Sequence, residues 1–230
     1  MDRFRSDVPR LAALYDEFVS DDSQNFFYRF PQRLAPAGTP TLAYYKRIED
    51  WLSYVSEDQW PTLRKKIKET VSHYDQYRFW QQLHDVFSEA LGFKLLITKY
   101  GCSAASFYRP ADTQTPDLRG LSHAAVLYLE AKTVNHTQNE RLSWYELSKL
   151  EHAAQLPPTV ERKLTEAYQQ AISQLRAPDD ASSATKIALL VFHVDYNIDP
   201  LDQSIESLVL KFLTSIEKDE FPIECHLITS

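Results

Sequence analysis

The chain has 230 residues, of which 43% are hydrophobic and 25% are charged, and its formal net charge is −7 at pH 7. This composition is typical of a globular protein with a substantial core, and it excludes a disordered or collagen-like chain. The acidity is local, because residues 177–230 hold 3 Lys and Arg against 10 Asp and Glu, so the charge argues against a general nucleic-acid coat protein without excluding a nucleic-acid substrate.

Cysteine usage and hydropathy indicate the compartment. Cys102 and Cys225 are the two cysteines, which is too few for a disulfide framework. The sequence contains no run of about 18 apolar residues, and residues 1–4 do not resemble a signal peptide. We therefore expect a cytoplasmic protein, or a nuclear one in a eukaryote, with no membrane partner.

Residues 1–75 are predicted to form a helical N-terminal extension. Apolar side chains recur at helical spacing near 11–18, 42–55 and 60–74. The stretch 30–40, with three prolines and one glycine, predicts a loop. A basic cluster in the third helix predicts a solvated face; it comprises Arg64, Lys65, Lys66 and Lys68. The sequence leaves open whether this aromatic-rich extension binds a protein partner or a second copy in a homodimer.

Residues 76–230 are predicted to form an α/β core with a mixed central β-sheet flanked by helices. The predicted elements are a helix at 77–91 capped by Gly92, strands at 94–100 and 104–108, a hairpin of 117–122 and 126–134, and a helix at 157–175. Residues 135–157 have weak periodicity, with a short helix left open. The apolar run 187–194 predicts a central strand buried on both faces, followed by a helix after Pro200 and a parallel strand at 223–228.

The hairpin carries the residues that point most directly to chemistry. Glu130 and Lys132 are two positions apart in a strand, so both side chains point to the same face. Asp117 follows Pro116, and the hairpin would bring it beside Glu130. Two carboxylates and an amine at one strand end are costly to bury, and they suit Mg²⁺ or Mn²⁺ with the lysine beside an attacking water. The alternative is a surface hairpin with an ordinary Glu–Lys pair.

This order of elements and residues resembles the PD-(D/E)XK, or restriction-endonuclease-like, superfamily over residues 77 to about 195. The resemblance implies that Asp117 and Glu130 bind one or two divalent cations and that Lys132 orients or activates water. It also implies that Ala131 offers its backbone carbonyl to the metal. Further positions that the resemblance points to are Asp85 or Glu89 as an acidic ligand from the first core helix, and Lys163, Gln170 and Gln174 on the helix after the Glu-x-Lys strand.

The expected function is Mg²⁺- or Mn²⁺-dependent hydrolysis of phosphodiester bonds by an endonuclease, with DNA favoured as substrate. An RNA endonuclease is an alternative, because cap-snatching viral nucleases resemble this pattern and carry a histidine on an early helix, where this chain has His84. A second alternative is a non-catalytic module that keeps the nuclease fold to bind protein or nucleic acid. The absence of a glycine-rich phosphate loop excludes P-loop and dinucleotide-binding proteins.

Overall fold

A computed structural model describes residues 2–34, 40–74, 80–108, 115–123, 125–134, 156, 158–176, 184–194, 203–216 and 223–229. Six helices come first: α1 (Asp2–Asp7), α2 (Pro9–Phe18), α3 (Phe30–Leu34), α4 (Pro40–Ser53), α5 (Trp60–Thr70) and α6 (Gln81–Thr98). They are followed by β1 (Ala104–Phe107), β2 (Leu118–Leu121), β3 (Val126–Val134), α7 (Pro158–Arg176), β4 (Thr185–Val194), α8 (Gln203–Ile216) and β5 (Ile223–Thr229).

The strands form one mixed sheet in the order β1-β2-β3-β4-β5. The first three strands are antiparallel neighbours, whereas β3 pairs in parallel with β4 and β4 in parallel with β5. Parallel neighbours need a crossover connection, and the helices α7 and α8 lie in the two crossovers. The predicted α/β class, the hairpin and the central strand are therefore confirmed.

Helices cover both faces of the sheet. On one face, α6 packs against residues such as Leu129 and Ala131 of β3, and the N-terminal helices continue the same buried cluster beyond α6. On the other face, α7 and α8 pack against Tyr128 and Val134 of the same strand. The alternation of side chains along β3 thus assigns Glu130 and Lys132 to the face that α7 covers.

The predicted strand at 94–100 is wrong, because α6 continues through Gly92 to Thr98. Nearly every side chain from Val86 to Leu96 is buried, since α6 lies between the N-terminal helices and the sheet. A helix that is apolar all round loses its amphipathic period, so its last turns resemble a buried strand in sequence. Even so, no helix in the part of the chain that the structure describes is long and apolar enough to cross a membrane.

Gly92 serves close packing and not helix termination. A Cβ added there would lie 2.7 Å from Cδ1 of Leu118 and 2.8 Å from Cδ2 of Leu129. The chain turns instead at Gly101, which adopts a φ of 63°, and there the N–H of Cys102 donates to the carbonyl of Leu96. A left-handed glycine does follow α6, as is common after a helix, but it is Gly101 and not Gly92.

Two N-terminal predictions also change. Residues 30–34, expected in a loop, form α3, and residues 35–39 lie outside the described part of the chain. Lys66, expected on a solvated face, is buried and pairs with Glu89 of α6. The weakly periodic stretch 135–157 lies outside the described residues except for Leu156.

Candidate active site

The register of the β2–β3 hairpin brings Asp117 opposite Glu130. Leu118, the first residue of β2, pairs with Leu129, so the residue just before β2 faces the next residue of β3. The N–H of Asp117 donates to Oε2 of Glu130 at 3.0 Å. The N–H of Ala131 donates to Oδ2 of Asp117, also at 3.0 Å. Each carboxylate is therefore held by a backbone amide of the other strand.

Pro116 interrupts the regular backbone pairing of the β2 side of the hairpin with β3, next to Ala131. By the register, position 116 would face Ala131, but proline has no N–H to donate to the Ala131 carbonyl, so a regular antiparallel pair with both hydrogen bonds cannot form there. The Asp117 carboxylate accepts the Ala131 N–H instead. Pro116 thus ends the regular pairing with β3, and the carboxylate of the next residue, Asp117, is held by the Ala131 N–H.

Glu130 is the most constrained charged group of the site. Its side chain is 0% exposed, and its Oε1 lies 2.5 Å from Nζ of Lys132, which is 24% exposed. Among the described residues, Oε1 nevertheless has no partner with hydrogen-bond geometry. Burial, followed by the nearby charge of Asp117, raises the pKa of Glu130 to about 8, against the opposing effect of Lys132. A further cation near Oε1 would favour the ionised carboxylate.

Asp85 of α6 is the third carboxylate of this group. Burial raises the pKa of Asp85 to about 6, and the charge of Asp117 acts in the same direction. A hydrogen bond with Thr133 and the charge of Lys132 oppose the rise. Asp85 therefore approaches the end of β3 from the α6 side, as one of the two acidic residues predicted on this helix.

Glu89 and His84, also predicted on α6, have other partners. Glu89 forms a buried ion pair with Lys66, whose Nζ lies 4.9 Å from the centroid of the Phe107 ring. Nδ1 of His84 lies 2.8 Å from the hydroxyl of Tyr44, and burial lowers the pKa of His84 to about 4. We therefore interpret Glu89 as a structural ion-pair residue and His84 as a neutral, half-buried histidine of the helical layer.

Gln174, one of the predicted positions of α7, contacts the segment that precedes Asp117. Its Nε2 lies 3.4 Å from the carbonyl of Thr115, two residues before Asp117. Gln170 is exposed. Lys163 is half-buried and lies about three helical turns before Gln174. Gln174 can therefore steady the segment that carries Asp117.

The oxygen donors suit a hard divalent cation. Within the described part of the chain, Oε1 of Glu130 has Lys132 as an ion-pair partner but no partner with hydrogen-bond geometry. The Ala131 carbonyl points to the same edge as its N–H, towards Asp117. Mg²⁺ and Mn²⁺ prefer carboxylate and carbonyl oxygens. Within the described residues, no three His, Cys, Asp or Glu side chains already have ligating geometry. Metal binding would thus require the Asp117, Glu130 and Asp85 carboxylates to move closer together.

Two residues near the site were missed in the sequence. Thr133 follows Lys132, and its Oγ1 lies 2.9 Å from Oγ of Ser88 in addition to its bond with Asp85. Arg119 lies two positions after Asp117, so strand periodicity places both on one face. That periodicity was a usable signal for Arg119, whereas the Thr133 contact depends on α6 packing.

Comparison with known proteins returned no matching family model, curated protein or solved structure.

Proposed function

We propose that this protein is a divalent-metal-dependent nuclease with a restriction-endonuclease-like PD-(D/E)XK core. The observation that supports it most is the reciprocal bracing of Asp117 and Glu130 across the β2–β3 hairpin. Lys132 lies against Glu130 on the same face. A surface hairpin with an ordinary ion pair would leave Glu130 solvated, whereas here its side chain is fully buried.

Asp117, Glu130 and the Ala131 carbonyl would hold the cation, with Asp85 as a further acidic ligand. A bound Mg²⁺ or Mn²⁺ would neutralise charge on the scissile phosphate and acidify a water molecule. Ionised Glu130 would then direct Oε1 to the cation, which frees Lys132 Nζ from its present ion pair. The freed ammonium group would orient the attacking water and stabilise the pentavalent phosphate.

DNA is the favoured substrate, as the family resemblance implies. The RNA alternative would gain weight if His84 were a metal ligand. The His84 ring packs against Phe26 and Phe87 in the helical layer. A neutral histidine bonded to the Tyr44 hydroxyl in this cluster gives that alternative no support. The polymer that is cut remains an outcome of the experiment.

The test is cleavage of plasmid DNA and of a structured RNA with Mg²⁺ or Mn²⁺. We expect Asp117→Asn and Lys132→Met each to lower the rate about 10²-fold or more, because each removes a group that stabilises the transition state. Asp50→Asn is the matched control, since Asp50 is exposed and ion-paired with Lys94 on α6. Thermal unfolding of every variant separates loss of activity from loss of fold.

Metal binding, measured by calorimetry, distinguishes the remaining function class. No cleavage of either polymer and no bound metal in the wild type would contradict the nuclease proposal. Salt-dependent nucleic-acid binding under those conditions would favour the non-catalytic module. Cleavage that survives Asp117→Asn would assign the activity to another site or to a contaminant.

A further inference from the structure

Arg119 lies beside the proposed site on the same face of the sheet. It pairs with Tyr128 of β3, one same-face position before Glu130, and it follows Asp117 by one same-face position on β2. Two residues of a strand span about 7 Å. Along the strand direction, Arg119 and Lys132 therefore lie on opposite sides of the carboxylate pair.

The guanidinium of Arg119 has no partner among the described residues. Its side chain is half-buried, and its Nε is fully buried without a hydrogen bond. Several other arginines of the chain are paired with carboxylates: Arg5 with Asp16, Arg10 with Glu57, Arg64 with Glu17 and Arg162 with Glu166. A partly desolvated charge without a partner is costly, so an anion at Arg119 would be favourable.

Among the described residues, the strand partners of Arg119 provide no such anion. Arg119 lies between Ser106 of β1 and Tyr128 of β3, which are both uncharged. The Asp117 carboxylate is already bonded to the Ala131 N–H. The guanidinium is thus available for a ligand beside the carboxylates.

We propose that Arg119 binds a phosphate group of the nucleic acid next to the one that is cut. This inference rests on the proposed nuclease function and adds a positioning residue to it. A guanidinium offers two parallel N–H donors that match two phosphate oxygens. Binding there would hold the strand in register, so that the scissile phosphate lies at Asp117 and Glu130.

The first test measures binding of inorganic phosphate in EDTA by ³¹P NMR titration, so that no metal contributes. Arg119→Met keeps the apolar stem and is expected to weaken phosphate binding about tenfold, the effect of losing a charged hydrogen bond. Arg162→Met is the control, because Arg162 also lies on the α7 side of the sheet and is 65% exposed. We expect that control to leave phosphate binding unchanged.

The second test measures binding of a single-stranded oligonucleotide with Ca²⁺ in place of Mg²⁺, which allows binding without cleavage. Arg119→Met should reduce the slope of log Kd against log salt by about 0.7, the value for one phosphate contact in a single strand. Arg119→Lys should retain the slope and lose part of the affinity, because lysine keeps the charge without the two-donor fork. It also serves where Arg119→Met fails to fold.

The outcomes separate this inference from the nuclease proposal. If phosphate binding depends on Arg119 but the wild type cuts no nucleic acid, the phosphate site at Arg119 is supported and the nuclease proposal is contradicted. If Arg119→Met still cuts nucleic acid and its phosphate binding and salt slope are unchanged, the proposed role of Arg119 is overturned. The nuclease proposal then stands. Undetectable phosphate binding by the wild type, with an unchanged oligonucleotide slope, also overturns it.

Discussion

At the scale of single residues, Glu130 is the group whose environment is least compatible with its charge. It is fully buried, it lies beside the charge of Asp117, and one of its oxygens has no hydrogen-bond partner among the residues that the structure describes. The ion pair with Lys132 offsets only part of the desolvation, since the pKa remains raised. A buried carboxylate that keeps its proton near neutral pH is therefore a sensitive reporter of a nearby cation.

We predict that Glu130→Gln flattens the pH dependence of stability in EDTA. The folded-state pKa of about 8 exceeds the ordinary value of 4.5, so the folded state retains a proton that the unfolded chain releases. The contribution of this retained proton to folding stability is fully present below pH 4.5 and is lost as the pH rises to 8. Relative to the variant, the wild type should lose about 3 kcal/mol between pH 5 and 8.

Urea unfolding at a series of pH values measures this difference. Millimolar Mg²⁺ should remove it, because a bound cation favours ionised Glu130. Asp85 titrates in both proteins and so cancels in the comparison. Equal pH slopes for wild type and variant in EDTA would show that the carboxyl ionises freely in the folded protein.

At the scale of elements, α6 connects the helical layer to the site. Its N-terminal half carries Asp85 and Ser88, which reach Thr133 at the end of β3. Farther along, Gly92 allows the helix to approach Leu118 and Leu129, the pair next to Asp117 and Glu130. The depth at which α6 packs on the sheet therefore affects the position of the β2–β3 hairpin.

We predict that Gly92→Ala destabilises the protein by about 1–2 kcal/mol, since overpacking a core has costs of this size. In an open helix the same change would stabilise by about 1 kcal/mol, because alanine has the higher helix propensity. Thermal denaturation gives the sign. A matched change in α7, Ser173→Ala, lies at an exposed position and should have little effect. A more stable Gly92→Ala protein would mean that the two leucines can move aside.

At the scale of the whole molecule, the N-terminal helices and one face of the sheet form a single buried cluster. It runs from Leu11 and Phe27 through Phe87 of α6 to Leu129 and Leu189 in the sheet. The predicted extension of residues 1–75 thus shares its core with the sheet-bearing part. A shared core couples the unfolding of its parts.

We therefore predict one cooperative unfolding transition. Tryptophan fluorescence reports mainly on the helical layer through Trp51, Trp60 and Trp80, whereas far-ultraviolet circular dichroism reports on the whole chain. The two urea curves should coincide. Removal of residues 2–74 should expose the buried face of α6 and abolish the transition. Two separated transitions would instead identify an N-terminal unit that folds by itself.

The sequence by itself determined most elements and the core of the site. Apolar periodicity located α2, α4, α5 and α7, and a continuous apolar run located β4. Strand periodicity fixed Glu130 and Lys132 on one face, and the hairpin brought Asp117 to them. These features are local, because an amphipathic period or a short turn depends on about a dozen neighbouring residues.

Only the tertiary structure decided what depends on the neighbouring layer. Asp85 and Glu89 lie one helical turn apart, yet Asp85 meets Thr133 whereas Glu89 meets Lys66 of α5. Gly92 resembled a cap because the sequence does not reveal that β2 and β3 pack against it. The physical reason is common to both cases: the partner of a side chain is set by the element across from it, which lies far away in the sequence.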